Sequence, residues 1–199
     1  MSRALLAAAG GLAALALVAL TLLLVLHDRG GEAPGRPLPR PPLTLAALMT
    51  RFALLDERHS NQCGLNAQSL GSLAAHGSLQ GACCSRMEFH HYIAQVRGLH
   101  RYRSLAEIPA DPYDIPLSLA RTLIGYDRTI SLTSSEQQVY DKATRLAHEH
   151  GPCCCRCWRW SAFEGQAKDL IRRRQFSAKQ IAALWDLEDG CGGPGDTTT

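Results

Sequence analysis

The chain has 199 residues, with 21 Lys and Arg against 18 Asp and Glu, a formal net charge of +3. A balance this close to neutral lacks the clustered basic face of a nucleic-acid binder, so no nucleic-acid partner is expected. Eight cysteines are many for a cytosolic chain; in an exported one they read as disulfides, metal ligands or redox groups.

Ala4–Leu26 is a run of 23 residues without a charge, rich in Leu, Ala and Val. At ~1.5 Å per helical residue it is long enough to cross a hydrocarbon layer of ~30 Å. A cleavable signal peptide is the rival reading, but its apolar region is normally ~7–15 residues and closes on a small-x-small site. The run here is longer and ends in Leu26-His27-Asp28-Arg29. Residues 1–27 are therefore expected to be a single-pass signal anchor in the cell membrane, with the rest of the chain outside the cytoplasm. Gly30–Pro42 follows with five prolines, which favour extended polyproline II. Residues 28–43 read as a semi-rigid stalk.

Residues 44–189 carry helical periodicity. Thr44 can cap a helix to about Arg58, with Leu45, Leu48, Met49, Phe52 and Leu55 on one apolar face. Asn61–Gly81 is rich in Gly, Ser and Asn and predicts loops with a short helix at most. Ala82–His100 predicts a second helix, on which Cys84, Met87 and His91 share a face and Cys83 belongs to an overlapping set. Thiolate and thioether are soft donors suited to copper(I); packing of Met87 in the core is the plainer alternative. Ala110–Pro116 is a Pro-flanked connector before a helix from Leu117 to about Tyr126. Thr133 and Glu136 form a capping box for a helix to about His150, and Gly151-Pro152 stops it.

The segment Gly151–Trp160, GPCCCRCWRW, then places Cys153, Cys154, Cys155 and Cys157 within five residues. Pro152 suits the first position of a helix, so these cysteines are expected on its first turns. Unpaired N–H groups, the helix dipole, Arg156 and Arg159 would there favour thiolate, the form that binds metal and attacks disulfides. Cys153 and Cys157 are spaced i, i+4; Cys154 and Cys157 make a Cys-x-x-Cys; Cys153, Cys155 and Cys157 alternate. Haem attachment is excluded because Trp158 stands where Cys-x-x-Cys-His needs its histidine. A fully regular disulfide framework is awkward with adjacent cysteines, since sulfurs must meet at ~2.05 Å with a fixed dihedral. The helix continues to Arg172-Arg173-Arg174, and Ser177 with Gln180 caps another. Residues 190–199 read as a flexible tail from which Cys191 can fold back as ligand or resolving thiol.

Pro152-Cys153-Cys154-Cys155-Arg156-Cys157 resembles the Pro-Cys-Tyr-Cys-Gly-Cys motif of the bacterial PCYCGC-motif proteins, in the Pro and the three alternating cysteines. Tyr113–Pro116 and Glu136–Ala143 are similar in style to that group. The resemblance implies an exported or membrane-attached setting and a metal-binding role.

The expected fold is thus mostly α, an N-terminal transmembrane helix plus a small all-α helical domain. The expected function is binding of a soft metal ion, copper(I) ahead of zinc or mercury, for transfer or sequestration with a metal-donor or metal-acceptor protein. Cys153, Cys155 and Cys157 lead the ligand set; Cys154, Cys191, Cys83, Cys84 and Met87 follow. The alternatives are thiol–disulfide exchange through Cys154 and Cys157 with Cys191 resolving, and an interaction domain stapled by disulfides. No Ser/His/Asp constellation, phosphate loop or paired carboxylate site stands out, so binding rather than catalysis is expected.

Overall fold

The computed structural model describes residues 33–193. The expected anchor, residues 1–27, lies outside the described residues, as do the start of the stalk and Pro194–Thr199. Among the described residues no helix is long and apolar enough to cross a membrane.

The described residues form seven α-helices: α1 Leu45–Asp56, α2 Ser69–Ser72, α3 Phe89–Leu99, α4 Leu117–Thr129, α5 Ser134–Leu146, α6 Trp158–Arg174 and α7 Ala178–Glu188. The all-α expectation is corrected by a two-stranded antiparallel sheet, β1 Ser78–Gln80 with β2 Asp114–Pro116, in the register Leu79 to Ile115. Each strand has three residues. That is too short to show a period-2 alternation, and all of β1 is buried, which removes the polar face an alternation would need. Gly35 extends the sheet by bridging to Ser78, with hydrogen bonds of 3.1 and 2.7 Å.

The main core lies where α4 runs along α6 and α5 packs on α7. Trp158, Phe163, Leu170, Leu123, Leu184 and Trp185 are buried in it. Each such large apolar side chain contributes roughly 1.5–3 kcal/mol by leaving water. Gly165 sets the distance between α4 and α6: a Cβ there would overlap the carbonyl oxygen of Leu123 on the facing helix. The caps read from sequence hold. Thr44 accepts from the Ala47 N–H, and both capping boxes, Thr133/Glu136 and Ser177/Gln180, are closed in both directions. α1 buries Leu48 and Leu55, whereas Leu45 and Met49, expected on its inner face, are exposed.

The second expected helix starts late. Ala82–Met87 is not helical, and α3 begins at Phe89. Glu88 is its cap, with the carboxylate accepting the N–H groups of His90 at 3.1 Å and His91 at 2.7 Å. Upstream of it the backbone is spent on another partner, the segment after α7. Cys83 N–H donates to Gly190, Ser85 N–H to Cys191, and Gly193 N–H to Arg86. Cys84, Met87 and His91 therefore do not share a helical face. Met87 is buried with Leu48, Leu55, Tyr92, Ile93, Val96 and Tyr113.

A buried ionic network ties the Pro-rich segment to the domain. Arg51 Nε lies 2.6 Å from Asp111 Oδ2 and its Nη2 2.9 Å from Asp114 Oδ2. Asp111 also accepts from Tyr92 Oη at 3.0 Å, and Asp114 from Ser78 Oγ at 2.5 Å and from the Leu38 N–H at 2.9 Å. Arg51 Nη1 donates to the Pro39 carbonyl at 2.6 Å. The described part of the Pro-rich segment thus runs against the domain. Burial raises the pKa of the Asp111 carboxyl, and Arg51 works against that rise. Arg51→Met would strand two buried carboxylates and should cost about 3–5 kcal/mol. Urea denaturation at neutral pH measures it; a loss under about 1 kcal/mol, the range of an exposed pair, would contradict the network.

Candidate metal centre

Four segments far apart in sequence meet on one side of the α6 N-terminus. Asn61–Leu65 brings Cys63, Gly81–Arg86 brings Cys83 and Cys84, Gly151–Cys157 brings four cysteines, and Gly190–Gly193 brings Cys191. Main-chain bonds hold them together. Trp158 N–H donates to the Leu65 carbonyl at 2.9 Å, and Trp158 Nε1 donates to Asn61 Oδ1 at 3.1 Å. Asn61 Nδ2 passes the connection to the Gly81 carbonyl at 2.9 Å. Gly192 takes φ +81°, and a Cβ on it would overlap the Ser85 carbonyl oxygen, so the last segment can lie this close only as glycine.

The helix expected to carry the cysteines begins one residue after them. Gly151–Cys157 is a series of bends, α6 starts at Trp158, and Cys157 is the residue before its first turn. Four consecutive helical residues would point in four directions. The irregular loop instead turns Cys153 and Cys157 inward, where their sulfurs reach 3.8 Å without a helix, and leaves Cys154 exposed.

All eight thiols are free, and all eight join one connected group. Sγ to Sγ, Cys153 is 3.7 Å from Cys191, Cys83 3.8 Å from Cys191, Cys84 3.5 Å from Cys83 and 3.9 Å from Cys154, and Cys155 3.5 Å from Cys63. Cys63 and Cys84 approach to 2.7 Å, and Cys154 and Cys191 to 2.9 Å. Thiolates tetrahedral about one ion with bonds of ~2.3 Å stand ~3.8 Å apart, close to most of these separations. Three groups have their sulfurs mutually within 4.8 Å and can each hold an ion: Cys63/Cys83/Cys84, Cys84/Cys154/Cys191 and Cys153/Cys154/Cys155. Cys153, Cys157 and Cys191 form a buried floor with Cys83, Cys155 and Trp160 packed on it, while Cys84 and Cys154 face solvent. A cleft of about 660 Å³, lined by Asp56–His59 and Ala82–Arg86, opens on the Cys83 and Cys84 side.

Sequence reasoning placed Cys83, Cys84, Cys153, Cys154, Cys155, Cys157 and Cys191 among the candidate ligands, and the fold brings all of them together. Met87 is placed in the neighbouring apolar cluster. Cys154 and Cys157, the expected exchange pair, have different nearest partners, Cys191 and Cys153 respectively. Arg159, expected beside the cysteines as a cation favouring thiolate, is there; Cys63 was not among the expected ligands. The only sequence signal for Cys63 was that it is a cysteine in a loop.

Arg159 is 1% exposed, a full positive charge below the sulfurs. Its Nη1 donates to the Pro112 carbonyl at 3.0 Å and its Nη2 to the Glu188 carbonyl; the guanidinium stands 5.0 Å from the Phe163 ring centroid. Burial alone would disfavour the charge. The sulfurs of Cys83, Cys153 and Cys191, then Asp189, hold it in place. The nearby Glu188 carboxyl is pushed up to about 8 by burial, so it is neutral at pH 7 and leaves the guanidinium to the sulfurs. Among the thiols, Cys191 is lowered to about 5 because the S–H groups of Cys153 and Cys83 donate to it. Cys153 is lowered to about 6, first by Cys157 and also by Arg159. The others rise: Cys83 because it donates to Cys153 and Cys191, Cys154 and Cys84 through burial, Cys155 through burial to about 12. One or two thiolates inside a shell of protonated donors can hold a cation, and the donors would release protons on binding it.

No family model, no curated protein and no solved structure matches the chain.

In the reduced, metal-free chain, ultraviolet thiolate absorbance should rise in two waves. A small one falls near pH 5–6 and a large one above pH 9. The two low thiols favour the fold above their range, and that contribution is lost as pH falls through 6. The raised thiols act oppositely, and stability falls as pH climbs past 9. Arg159→Gln should move the first wave toward alkaline pH and cost about 1–3 kcal/mol for each carbonyl left without a donor. A first wave that does not move would contradict the guanidinium's part in it.

Proposed function

We propose that this protein binds a soft metal ion through its clustered cysteines, copper(I) before zinc or mercury, for sequestration or transfer. The observation that carries the reading is the convergence of four separated segments on one group of eight free thiols at metal-sharing distances. A disulfide scaffold would instead pair its sulfurs at bonding distance. Copper(I) leads because an all-sulfur donor set selects soft ions. Zinc is served by the same thiolates, and Cys₄ sites are common for it.

An extracytoplasmic setting belongs to the proposal. It is supported by the apolar run Ala4–Leu26 and by the motif resemblance around Pro152–Cys157. A metal-donating or metal-accepting protein is the partner such a site would need. The exposed Cys84 and Cys154 are the thiols within its reach. The near-neutral charge gives no support to a nucleic-acid partner.

One observation supports a second reading. Cys63/Cys84 at 2.7 Å and Cys154/Cys191 at 2.9 Å are closer than other pairs in the cluster. Thiol–disulfide exchange would run through those two pairs, with Cys84 and Cys154 as the exposed attacking sulfurs.

The test titrates the reduced full chain with copper(I), zinc(II) and mercury(II) separately under anaerobic conditions, followed by alkylation with iodoacetamide. Bound ion should protect Cys153, Cys157 and Cys191 in the order copper(I) or mercury(II) above zinc(II). Equal alkylation of all eight thiols with and without each ion would overturn the metal reading. A mixed disulfide formed at Cys84 or Cys154 by the metal-free chain would then favour exchange.

A further inference from the structure

The three metal-holding groups are not separate. Cys84 belongs both to Cys63/Cys83/Cys84 and to Cys84/Cys154/Cys191, and Cys154 belongs both to the latter and to Cys153/Cys154/Cys155. We infer that the site holds a polynuclear thiolate cluster, three or more copper(I) ions joined through Cys84 and Cys154 as bridging sulfurs. This inference rests on the metal-binding reading and goes beyond it in the number of ions and the roles of named thiols.

For three-coordinate ions the number of sulfurs requires sharing. Three ions with three private thiolates each would need nine sulfurs, and the chain has eight cysteines. The geometry covers three three-sulfur positions with seven, because two sulfurs are each counted twice. Cys157 is the eighth, 3.8 Å from Cys153, and can complete the inner end. A thiolate has lone pairs for two ions, and the two proposed bridges are the solvent-facing Cys84 and Cys154, not the buried Cys153 and Cys157. The bridges also join segments that are distant in sequence. Cys84 Sγ lies 3.9 Å from Cys154 Sγ and Cys154 Sγ 2.9 Å from Cys191 Sγ. Sharing eases the charge as well, since one anionic sulfur then offsets two cations. Arg159, adjacent to Cys83, Cys153 and Cys191, compensates part of the remaining negative charge at the inner end. Each ligand cysteine still protonated loses its proton to solvent on binding, and no electron is transferred.

The alternative arrangement is a set of independent ions, and two tetrahedral zinc ions would use eight thiolates with none shared. The two arrangements predict different variants. Losing a private ligand weakens one position; losing a bridge weakens two.

The full chain, reduced and anaerobic, is titrated with copper(I) alone against a chromogenic copper(I) chelator. Ions per chain are counted by native mass spectrometry, and the loaded protein is examined by X-ray absorption. The expected result is three or more ions, with species of intermediate loading scarce, and a short copper–copper scattering path beside the copper–sulfur shell. Cys84→Ser and Cys154→Ser should each lower capacity by two or more ions, and Cys63→Ser by one. A single ion with only copper–sulfur scattering would overturn the cluster and leave the metal-binding reading standing. Equal losses of one ion in all three variants would overturn the bridging assignment. Failure to retain any ion against the chelator would overturn both. Circular dichroism of the metal-free variants separates a lost ligand from a lost fold, and the wild-type ion count and scattering decide the inference even if a variant unfolds.

Discussion

Arg159 carries a positive charge into an interior that can tolerate it only if something nearby is negative or strongly polar. Its two backbone acceptors, from Pro112 and Glu188, satisfy hydrogen bonds and leave the charge in place. The Glu188 carboxyl is neutral at pH 7. What remains is chiefly the sulfur cluster, so the guanidinium and the thiols depend on one another. The same residue explains why the chain closes where it does. Arg159 takes the Glu188 carbonyl at the end of α7, and a side chain at Gly190 would collide with the guanidinium. The turn after α7 must therefore pass directly over Arg159 and deliver Cys191 to Cys153 and Cys154.

The scaffold supports this from two sides. The α4/α6 core, close-packed at Gly165, fixes Trp158 and with it the start of α6. The Arg51–Asp111–Asp114 network fixes β2 and its partner strand. The Gly81 N–H bonds to the Tyr113 carbonyl immediately beside β2, which sets the position of the Cys83–Cys84 turn. A loop-borne site is precise here because each loop leaves a buried, hydrogen-bonded element within a few residues of its cysteine. Access is uneven in consequence. Cys153 and Cys157 sit on the protein side, and Cys84 and Cys154 meet the solvent.

Much of the helical part was legible because its signals are local. The Thr44 cap, the Thr133/Glu136 and Ser177/Gln180 boxes and the apolar periodicity of α4 to α7 act within a few residues of chain. The misreadings share a cause, which is that distant partners decided the local conformation. Ala82–Met87 has a passable helical pattern, but Gly190–Gly193 takes its hydrogen bonds and Glu88 caps a later start. Pro152 looked like a first helical residue, yet the Trp158 N–H is bound by Leu65, and the helix begins there. The sheet was invisible because three-residue strands have no period to read. Within the site, the density of Cys153–Cys157 was plain from the sequence. Cys63 joined it only through folding, and Arg159, legible as a cation beside the thiols, owes its burial to the Pro112 and Glu188 carbonyls, which no local pattern announces.

The most direct test of the central claim is the state of the protein as its cells make it. The full chain would be purified anaerobically without chelator, and its metal content and alkylatable thiols would be counted before and after denaturation. The account predicts copper or zinc bound in stoichiometric or greater amount, with thiols that react only after denaturation or metal removal. Protein that carries no metal, with its cysteines already paired in disulfides, would contradict it.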